Sequence, residues 1–497
     1  MQRKSFMIIL IGALTFATLA GCGETDVQAS VETSTIEETV EQPAEVAPEV
    51  KETAEPEVAE EPVEEPKPVA TFKLAFTKGL DDYVGYAYGG LVPVKSGEKY
   101  GAVDYTGAEV IPCEYDSFQA PNEAGYIVLG KAGTYYLFDN KGNVVYSGTD
   151  CVIASGDMYT VTRYSEDGMV TLEYYDFSGK LLTSVDTNAD YMEYMYFSGM
   201  NDGKALVMRN VGDDSFFPLK DETQNHYFPY EIGTVSSDGK IDWIDGDGLD
   251  ENDPTKVITY EEKMQQRTDS AKNSGFNGAA GSVGDRTAFP ISPLCEGFFV
   301  TYSYFDGQVS MQDASGNILS AIDLYGLNFS SPDSASWDVR DARIGDREYK
   351  IYSMNSGSEG EIVSFYEDGA RIYNYGTKAV FKSGDVYALM DMKITGDKPT
   401  IKTYDYIVPC KEKYWLASKD DKWGYADHEG EIVKMYDDAA CFRNGHAVII
   451  DSGIAKFIDE DFNVLEELGP ATRVYQSGDL YVVDTEDSKN CYILEWK

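Results

Sequence analysis

One short turn pattern recurs through most of this 497-residue chain. Each copy has an Asp or a similar polar residue, two further residues and usually a Gly, and lies between two short apolar runs. Asp accepts hydrogen bonds from the backbone just ahead of it, and Gly takes the positive φ that closes a short hairpin. The copies are 104–107, 139–142, 176–179, 313–316 and 427–430, with degenerate versions at 237–239, 367–369 and 459–462. Because the flanking runs alternate and are rich in Tyr, Phe, Val and Ile, the pattern predicts an all-β fold.

The spacing of these copies predicts how the strands are organised. The closest spacings leave room for one sheet of three or four strands per copy. Antiparallel repeats of that size protect their edges by closing radially into a propeller or by stacking along a solenoid. Dividing the repeat region by the number of copies gives about 52 residues per unit, near the roughly 40 to 50 that are typical of propeller repeats. We therefore expect a β-propeller-like domain of seven or eight blades, with a β-solenoid as the alternative.

Two stretches carry a longer common pattern. Residues 99–104 read Lys-Tyr-Gly-Ala-Val-Asp and residues 422–427 read Lys-Trp-Gly-Tyr-Ala-Asp, and each leads through a turn Gly into an apolar strand that ends in Tyr-Asp. This resembles the WG repeat of bacterial surface and exported proteins, which is named for its Trp-Gly pair; Tyr100 replaces the Trp in the first copy. The resemblance implies a β-repeat scaffold and brings no catalytic residue.

The first 22 residues have the pattern of an export signal. Basic residues at positions 3 and 4 precede an apolar run over 6–17 that is too short for a membrane-spanning helix. Residues 19–22 then read Leu-Ala-Gly-Cys, which resembles the lipobox of bacterial lipoproteins. The resemblance implies cleavage just before Cys22 and a diacylglyceryl thioether on its sulfur. We therefore expect a signal peptide over 1–21 and a protein anchored by lipid to the cell membrane, on its extracytoplasmic side.

A long acidic segment separates the predicted anchor from the β region. Residues 22–70 are rich in Glu, Pro, Val, Thr and Ala and contain no aromatic residue. Such a segment cannot bury enough apolar surface to offset the entropy lost on ordering, so we predict a disordered linker. Like charges and prolines should keep it extended, and about 48 residues at about 3.1 Å each reach on the order of 150 Å.

The β domain is predicted to span 71–497, with one polar insertion at about 245–293. The insertion is rich in Gly, Ser and Asn and contains a helix-like stretch over 260–272. Loops of this length in a compact domain are usually functional or disordered. We interpret the stretch as an excursion between two blades.

The insertion begins with the sharpest candidate site in the sequence. Residues 245–253 read Asp-Gly-Asp-Gly-Leu-Asp-Glu-Asn-Asp, and closely spaced carboxylates with glycines suit Ca²⁺, which takes about six to eight oxygen ligands. The string resembles the core of an EF-hand-like loop. The ligands implied are the side chains or carbonyls of Asp245, Asp247, Leu249 and Glu251. Because Trp243 stands at the usual first ligand position and Pro254 at the usual closing Glu, an acidic solvated turn is the alternative.

The net charge excludes one class of partner. The chain carries a formal charge of −45 at neutral pH. Such a surface repels phosphate backbones, whose binding depends on Lys and Arg, so nucleic acid is not an expected partner. It also repels anionic lipid head groups, so the acyl anchor, and not the protein surface, should hold the molecule at the membrane.

The cysteines give no sign of a metal or redox site. Apart from Cys22 they are Cys113, Cys151, Cys295, Cys410, Cys441 and Cys491. An exported chain permits disulfides, but these six are spread thinly over a large domain and no two are spaced as Cys-x-x-Cys. We favour free, buried thiols over a disulfide framework.

Motifs for enzymatic chemistry are equally absent from the sequence. Its three histidines, at 226, 428 and 446, belong to no His-Glu-x-x-His motif, and there is no Gly-x-Ser-x-Gly motif or phosphate-binding loop. Tyr on propeller loops is suited to gripping sugars and peptides, and residues 191–196 form one Tyr-rich cluster, with strand packing as the alternative. We therefore expect a non-catalytic protein that binds an extracellular protein or glycan. The alternatives are an exported glycan hydrolase and a structural envelope spacer or assembly factor.

Overall fold

The computed structural model describes most of the predicted β domain. The described residues are 70–165, 169–188, 200, 203–210, 230–244, 248–249, 257–258, 288–303, 308–323, 329, 336–344, 347–355, 372–383 and 386–496. They form β-strands joined by turns, and none of them belongs to a helix. The all-β prediction is therefore confirmed over the described part of the chain.

The described strands form nine sheets of three to six strands, called blades below, and one short ladder. The chain begins with β1 (Ala70–Gly79), which belongs to blade 9. Blade 1 contains β2 (Leu91–Ser96), β3 (Lys99–Asp104) and β4 (Glu109–Tyr115). Blade 2 contains β5 (Ser117–Gln119), β6 (Ile127–Lys131), β7 (Thr134–Phe138) and β8 (Val144–Gly148). Blade 3 contains β9 (Cys151–Ser155), β10 (Met158–Tyr164), β11 (Met169–Asp176) and β12 (Leu181–Asn188).

Blade 4 contains β13 (Lys204–Asn210), β14 (Tyr230–Ser236) and β15 (Ile241–Trp243), and the short ladder β16 (Gly248–Leu249) and β17 (Val257–Ile258) follows it. Blade 5 contains β18 (Ala288–Pro290), β19 (Phe298–Ser303), β20 (Gln308–Asp313), β21 (Ile318–Asp323), β22 (Ser336–Ile344) and β23 (Arg347–Asn355). Blade 6 contains β24 (Ile372–Tyr375), β25 (Lys378–Ser383), β26 (Val386–Asp391) and β27 (Ile401–Tyr404).

Blade 7 contains β28 (Tyr406–Val408), β29 (Trp415–Lys419), β30 (Lys422–Ala426) and β31 (Ile432–Tyr436). Blade 8 contains β32 (Asp438–Ala439), β33 (His446–Asp451), β34 (Ile454–Asp459) and β35 (Val464–Pro470). Blade 9 contains β36 (Arg473–Ser477), β37 (Leu480–Asp484) and β38 (Ser488–Trp496), together with β1. In blade 5 an added hairpin, β22–β23, extends the sheet, because β23 pairs in parallel with β21.

The N-terminal strand closes the ring of blades. Blade 9 has the order β1-β38-β37-β36, so a strand from the start of the domain completes the sheet formed by its end. Ala70 pairs with Trp496 and Gly79 with Ser488 in an antiparallel ladder. This closure makes the domain a β-propeller and excludes the solenoid alternative, in which the two ends of the chain lie far apart.

The core is divided among the interfaces between blades. Each pair of adjacent blades encloses one hydrophobic cluster, and the cluster of Val84, Val92, Leu480 and Cys491 joins blade 9 to blade 1. Within a blade the second strand is the most buried and the fourth the most exposed, as β33 and β35 show in blade 8. The first strands therefore surround the axis, and the fourth strands form the outer rim.

The prediction of seven or eight blades is wrong, because the described residues form nine. The turn pattern used for the count joins the third and fourth strands of blades 2, 3, 5, 7 and 8, and the last two of the three strands of blades 1 and 4. We therefore number the strands of blades 1 and 4 as second to fourth; in blade 1 the first position is taken by Val84, which forms a bridge with Val94 of β2. Blade 6 joins its third and fourth strands through the longer segment 392–400, and blade 9 takes its fourth strand from β1. These two blades have no such turn, and the copy at 367–369 lies outside the described residues.

The alternating strand directions give the propeller two distinct ends. The loops between first and second strands and the turns between third and fourth strands lie at one end, which we call the turn face. The hairpins between second and third strands and the connections between blades lie at the other end, which we call the hairpin face. Since β38 runs from the hairpin face to the turn face and β1 is antiparallel to it, Ala70 and Trp496 both lie at the turn face.

Several sequence predictions lie wholly or largely outside the described residues. The signal peptide, Cys22 and the linker precede Ala70, and the helix-like stretch over 260–272 is not described. Most of the predicted insertion is also undescribed, while Ala288–Pro290 belongs to blade 5. Among the residues that are described, no helix is long and apolar enough to cross a bilayer.

Candidate functional site

The residues predicted to bind calcium fall mostly outside the described part of the chain. Asp245, Asp247 and Glu251 are not described, and Leu249 is described only in its backbone, where it pairs with Val257. Within the described ranges no group of three or more His, Cys, Asp or Glu could hold a metal ion. The calcium site stays a prediction, as does the Tyr-rich cluster at 191–196.

The two described histidines pack against aromatic rings. His428, in the blade 7 turn, lies with its ring centre 5.1 Å from that of Trp415, and its Nε2 lies 2.7 Å from the carbonyl oxygen of Glu412. His446 stacks on Phe457 with ring centres 5.2 Å apart. Both rings therefore join neighbouring strands and turns.

The six cysteines of the propeller are free, as the sequence predicts, but only Cys295 and Cys491 are fully buried and the other four are half-buried. Burial raises the pKa of Cys151 and of Cys441 to about 11, and that of Cys491 to about 12. Thiols with such pKa values are protonated near neutral pH and are poor nucleophiles. These cysteines serve as packing residues.

Aromatic side chains form a row along the hairpin face from blade 9 to blade 3. We call this row the aromatic arc. Five of its members lie near the start of a first or third strand, or at the end of a second strand, and these positions are at the hairpin face. The sixth, Tyr83, lies in the connection between β1 and β2, next to Val84, which forms a bridge with Val94 of β2. The six members are Tyr475, Tyr83, Tyr100, Phe118, Tyr135 and Tyr164.

The centre of the arc is a close group of three rings. Tyr100 from blade 1 lies 4.8 Å from Phe118 of blade 2, measured between ring centres. Tyr83 meets both rings edge-on, at 6.3 Å from Tyr100 and 5.6 Å from Phe118. Burial, together with the nearby Tyr100, raises the pKa of the Tyr83 hydroxyl. The three rings thus bridge the interface between two blades.

The ends of the arc continue this group onto blades 9 and 3. The pKa of Tyr475 is raised by burial first and then by nearby groups that include Tyr83. At the other end, burial and the neighbouring Cys151 and Tyr135 raise the pKa of Tyr164. Phe118 pairs in register with Leu129, and Tyr135 with Gly130, so Phe118 and Tyr135 project from opposite faces of blade 2. The sheet of blade 2 therefore lies between the two halves of the arc.

Exposure distinguishes the arc from ordinary packing. Tyr83 is 38% exposed and Tyr164 is 54% exposed, and among the described residues they are the exposed aromatic side chains. The other rings of the arc are half-buried between blades. The arc therefore has a packed floor and two rings that solvent, or a ligand, can reach.

Cationic side chains accompany the arc. The Lys95 ammonium lies 5.4 Å from the ring centre of Tyr100, and the Arg473 guanidinium lies 5.2 Å from that of Tyr475. Lys489 also approaches Tyr475, but it is held by the buried carboxylate of Asp484 at 3.0 Å. These contacts place positive charge against two rings of the arc, as other cation–ring pairs do elsewhere in the propeller.

A similar group on blades 6 and 7 shows what the arc adds. Tyr387 lies 5.1 Å from Tyr406, which lies 5.2 Å from Trp423, and Lys382 lies 5.5 Å from the Tyr387 ring centre. Lys382 pairs in register with Tyr387, as Lys95 does with Tyr100. All three of these aromatic rings are half-buried, so this group packs the interface without presenting an exposed ring.

The turn face carries a different polar cluster where the ring closes. Arg443 of blade 8 forms an ion pair with Asp479 of blade 9, and the Tyr105 hydroxyl of blade 1 donates to Asp479 at 2.6 Å. The guanidinium also lies 5.2 Å from the ring centre of Tyr88. Burial raises the pKa of Tyr88 to about 12. This cluster links blades 8, 9 and 1 and thereby helps to hold the ring of blades closed.

The sequence analysis missed the aromatic arc. It recognised Tyr100 and Trp423 as marks of a repeat and examined the Tyr-rich segment at 191–196 instead. The available signal was the recurring spacing of a Lys five residues before an aromatic residue, as in Lys95 and Tyr100 or Lys382 and Tyr387. Tyr83 and Tyr475 are brought together only by ring closure, which local sequence does not reveal.

Comparisons with solved structures give distant likenesses. The chain is similar to Sqt1 of Saccharomyces cerevisiae at 8% identity, over 84% of this chain and 97% of that one, with a TM-score of 0.31. It is similar to the WD40 domain of SCAP from fission yeast at 7% identity, over 85% of this chain and 98% of that one, with a TM-score of 0.26. The propeller architecture of this chain rests on its own strand order and closure.

Comparisons by sequence identify one region. No curated protein matches the chain. Residues 100–135 match the model of the WG containing repeat family, from the third strand of blade 1 to the third strand of blade 2. The propeller therefore includes, across its first two blades, a segment similar to the WG containing repeat.

Proposed function

We propose that this protein is a surface-anchored lipoprotein without catalytic activity, whose propeller binds a glycan or a protein outside the cell through the aromatic arc. The observation that carries the proposal is the exposure of Tyr83 and Tyr164 beside a row of half-buried rings. Tyr supplies a large rigid contact surface with a polar edge, at a low entropic cost of binding. Such side chains on a rigid scaffold are suited to recognition.

The position of the chain ends supports this use of the hairpin face. Ala70 lies at the turn face, so the predicted linker and its lipid anchor join the propeller at the end opposite the aromatic arc. A linker able to reach on the order of 150 Å would carry the domain well away from the bilayer. The arc then lies on the side of the domain remote from its attachment.

A binding screen with matched variants tests the proposal. The full chain, solubilised in detergent, is screened against glycans, envelope polymers and surface proteins. In the variant with Tyr83→Ala and Tyr164→Ala we expect affinity for the ligand to fall by about tenfold or more, since losing an aromatic contact of this kind costs over about 1.4 kcal/mol. The matched control, Val144→Ala with Val464→Ala, changes exposed residues on the outer rim and should bind as the unchanged protein does. Equal binding by both variants would show that the arc is not the site.

The anchor has its own test. Cys22→Ala removes the sulfur that would carry the lipid, so we expect the protein to move from the membrane to the soluble fraction when cells are fractionated. Retention in the membrane fraction would contradict lipid anchoring through Cys22.

The hydrolase alternative is tested on any glycan that the screen finds. Incubation of that glycan with the protein should leave its chain length unchanged in a size-exclusion profile. Shortened products that disappear on substitution of a carboxylate near the arc would replace the binding proposal by the hydrolase.

A further inference from the structure

We infer that the ligand of the aromatic arc is a protein with a basic segment, whose Lys or Arg side chains pack on exposed apolar groups at one end of the arc and pair with the carboxylates beside them. This inference rests on the proposed binding function and names the chemistry of its ligand. The residues that carry it lie where the arc passes from blade 9 to blade 1. We call them the acidic corner; they are Leu80, Asp81, Tyr83, Glu486 and Asp487.

Two segments that are distant in sequence form the acidic corner. β1 ends at Gly79, which pairs with Ser488 at the start of β38. The connection over 80–83 follows β1 directly, and the tip of the β37–β38 hairpin, 485–487, comes just before Ser488. Because paired strands lie about 4.8 Å apart, the two segments lie side by side at the hairpin face. Ring closure therefore assembles the corner.

Three carboxylates of the corner face solvent without a cation. Asp81, Glu486 and Asp487 are exposed. Among the described residues, no Lys or Arg lies within ion-pair distance of any of them. Asp487 accepts one hydrogen bond, at 3.1 Å from the Thr485 hydroxyl, which leaves its other oxygen available. The corner thus presents three negative charges to a partner.

The cations of blade 9 lie among other carboxylates. Lys489 pairs with Asp484 at 3.0 Å. Arg473 is exposed, and it stands in register opposite Asp484. Burial raises the pKa of Asp438 in blade 8, and Arg473 lies close enough to lower it in part. These two cations are therefore offset by acids on their own side of the hairpin.

The cations on the blade 1 side of the corner are offset in the same way. Lys95 pairs with Glu98 at 3.3 Å. Burial raises the pKa of the Cys113 thiol, and the charges that act on it include Lys78, which lowers it, and Asp82, which raises it. Lys78 and Asp82 thus lie beside the same thiol and offset each other. The charge left at the corner is negative, and the net charge of −45 adds a long-range attraction for a cationic partner.

The exposed apolar groups of the corner favour a polypeptide over a glycan. Leu80 is 40% exposed and Tyr83 is 38% exposed. A ring alone would suit a sugar, whose C–H faces pack on aromatic faces, but an aliphatic side chain offers no such face. Lys and Arg side chains pack their alkyl stems on apolar surface while their charged ends reach a carboxylate, and a cation also lies favourably over a Tyr ring. Basic side chains therefore meet every group of the corner.

A matched pair of peptides tests the inference. The full chain in detergent is titrated with an octapeptide of alternating Arg and Thr, and with the same peptide in which citrulline replaces each Arg. Citrulline keeps the shape of Arg and removes its charge. We expect the Arg peptide to bind at least about tenfold more tightly, as one charge-assisted contact of about 1.4 kcal/mol would give. The variant with Asp81→Asn, Glu486→Gln and Asp487→Asn should lose this preference.

A second variant separates the corner from the charge of the whole molecule. Asp157→Asn, Glu466→Gln and Glu467→Gln remove three exposed carboxylates from the turn face and from the outer strand β35, so the two variants carry the same net charge. This control should bind the Arg peptide within about twofold of the unchanged protein, because charges at that distance are largely screened by salt. Equal losses in both variants would assign the preference to overall charge and overturn the inference.

Further outcomes distinguish this inference from the proposed function. Equal affinity of the unchanged protein for the two peptides, or no binding of the Arg peptide, would overturn the inference. So would a neutral glycan from the wider screen that the tyrosine variant loses and the carboxylate variant keeps, although the proposed function would then stand. A chitosan oligomer that binds more tightly than the Arg peptide, and needs the same carboxylates, would make the ligand a cationic glycan and not a protein. The proposed function itself fails only if the tyrosine variant binds as the unchanged protein does.

Discussion

At the scale of the residue, one carboxylate organises six of the seven turns of the repeated pattern; the turn of blade 4 has Ser236 at that position instead. The Asp104 carboxylate accepts hydrogen bonds from the backbone N–H groups of Thr106 at 2.8 Å and Ala108 at 3.0 Å. The same two bonds, to the second and fourth residues after the Asp, recur in five further turns, at Asp139, Asp176, Asp313, Asp427 and Asp459. This role of Asp is predicted from the sequence, because it depends only on neighbours along the chain.

The ionisation of Asp104 should make the turn sensitive to acid. The Thr106 hydroxyl, and with it the backbone N–H groups, holds the pKa of this carboxyl below its usual value. A lowered pKa in the folded state means that the unfolded state binds more protons, so the stabilisation is present above about pH 4 and is lost as pH falls through the folded pKa. We expect Asp104→Asn to lower the free energy of unfolding by about 1 kcal/mol at pH 7, and the difference from the unchanged protein to shrink towards pH 3. Urea titrations at each pH measure it.

A second variant controls for net charge. Asp421→Asn removes one negative charge from an exposed position in the blade 7 hairpin. This variant should change the free energy of unfolding only through the weaker charge repulsion across the surface. It should not show the loss of stability at pH 7 that we expect for Asp104→Asn. A difference between Asp104→Asn and the unchanged protein that stays constant from pH 7 to pH 3 would contradict the role given to the ionised carboxylate.

One turn shows where residue-level prediction fails. Phe462 stands where the other turns have Gly and takes a φ of 61°, which a side chain normally disfavours. Its ring lies 5.1 Å from that of Tyr414 and 5.8 Å from that of Tyr425, within the core between blades 7 and 8. Packing across two blades thus offsets the local strain. Local sequence cannot indicate this, because the partners lie in other strands.

At the scale of the element, the sequence repeat does not coincide with the blade. The segment that matches the WG containing repeat runs from β3 to β7, so it contains the outer strands of blade 1 and the inner strands of blade 2. Asp116, at the boundary, pairs with Lys99 of blade 1 and accepts a hydrogen bond at 2.9 Å from the backbone of Ala132 in blade 2. At the boundary between blades 7 and 8, Asp437 likewise pairs with Lys422 of blade 7 and accepts a hydrogen bond from the backbone of Ser452 in blade 8. Each repeat therefore ties two blades together.

The Gly of the Trp-Gly pair is required by the packing of two strands. A Cβ at Gly424 in β30 would overlap the backbone of β31 at Lys434 and Met435. We expect Gly424→Ala to lower the free energy of unfolding by about 1–3 kcal/mol, because rigid backbone has to move to admit one methyl group. Thermal unfolding followed by near-ultraviolet circular dichroism measures the change, since Trp423 reports on this site.

A glycine with open space provides the matched control. At Gly396, between the third and fourth strands of blade 6, the nearest atom to an added Cβ would be 3.8 Å away. Gly396→Ala should leave stability within about 0.5 kcal/mol of the unchanged protein. If the two substitutions have equal effects, close strand packing is not the reason for Gly in this repeat.

At the scale of the whole molecule, closure is the feature that the sequence predicted least well. Alternating strands and turn chemistry are local, so the all-β fold follows from them, whereas the choice between a propeller and a solenoid depends on closure. The ninth blade does not follow from them either, because its fourth strand comes from β1, more than 400 residues before its partner. Tyr83 and Tyr475 of the aromatic arc meet for the same reason. Features that depend on where the ring closes need the assembled molecule.

The closure by β1 should be essential to stability. Phe72 in this strand is 9% exposed, and its ring centre lies 4.7 Å from that of Tyr481 in β37. We expect a fragment of residues 70–497 to unfold cooperatively and a fragment of residues 80–497 to be less stable by at least about 3 kcal/mol, the cost typical of losing one buried Phe side chain. The shorter fragment also exposes the edge of β38, so it should associate at high concentration. Calorimetry and light scattering measure the two effects.

Adding β1 back as a separate peptide distinguishes closure from a general loss of mass. A peptide of residues 70–82 should bind the 80–497 fragment and raise its Tm in proportion to the logarithm of peptide concentration, because it binds the folded state alone. The same peptide with Phe72→Asp keeps the backbone groups of the ladder but places a charge in the cluster between blades 8 and 9, so it should raise the Tm much less. Equal Tm values for the two fragments would mean that the ring holds without its N-terminal strand. If the Phe72→Asp peptide raises the Tm as much as the unchanged peptide does, the backbone ladder with β38, and not the packing of Phe72, is what stabilises the closed ring.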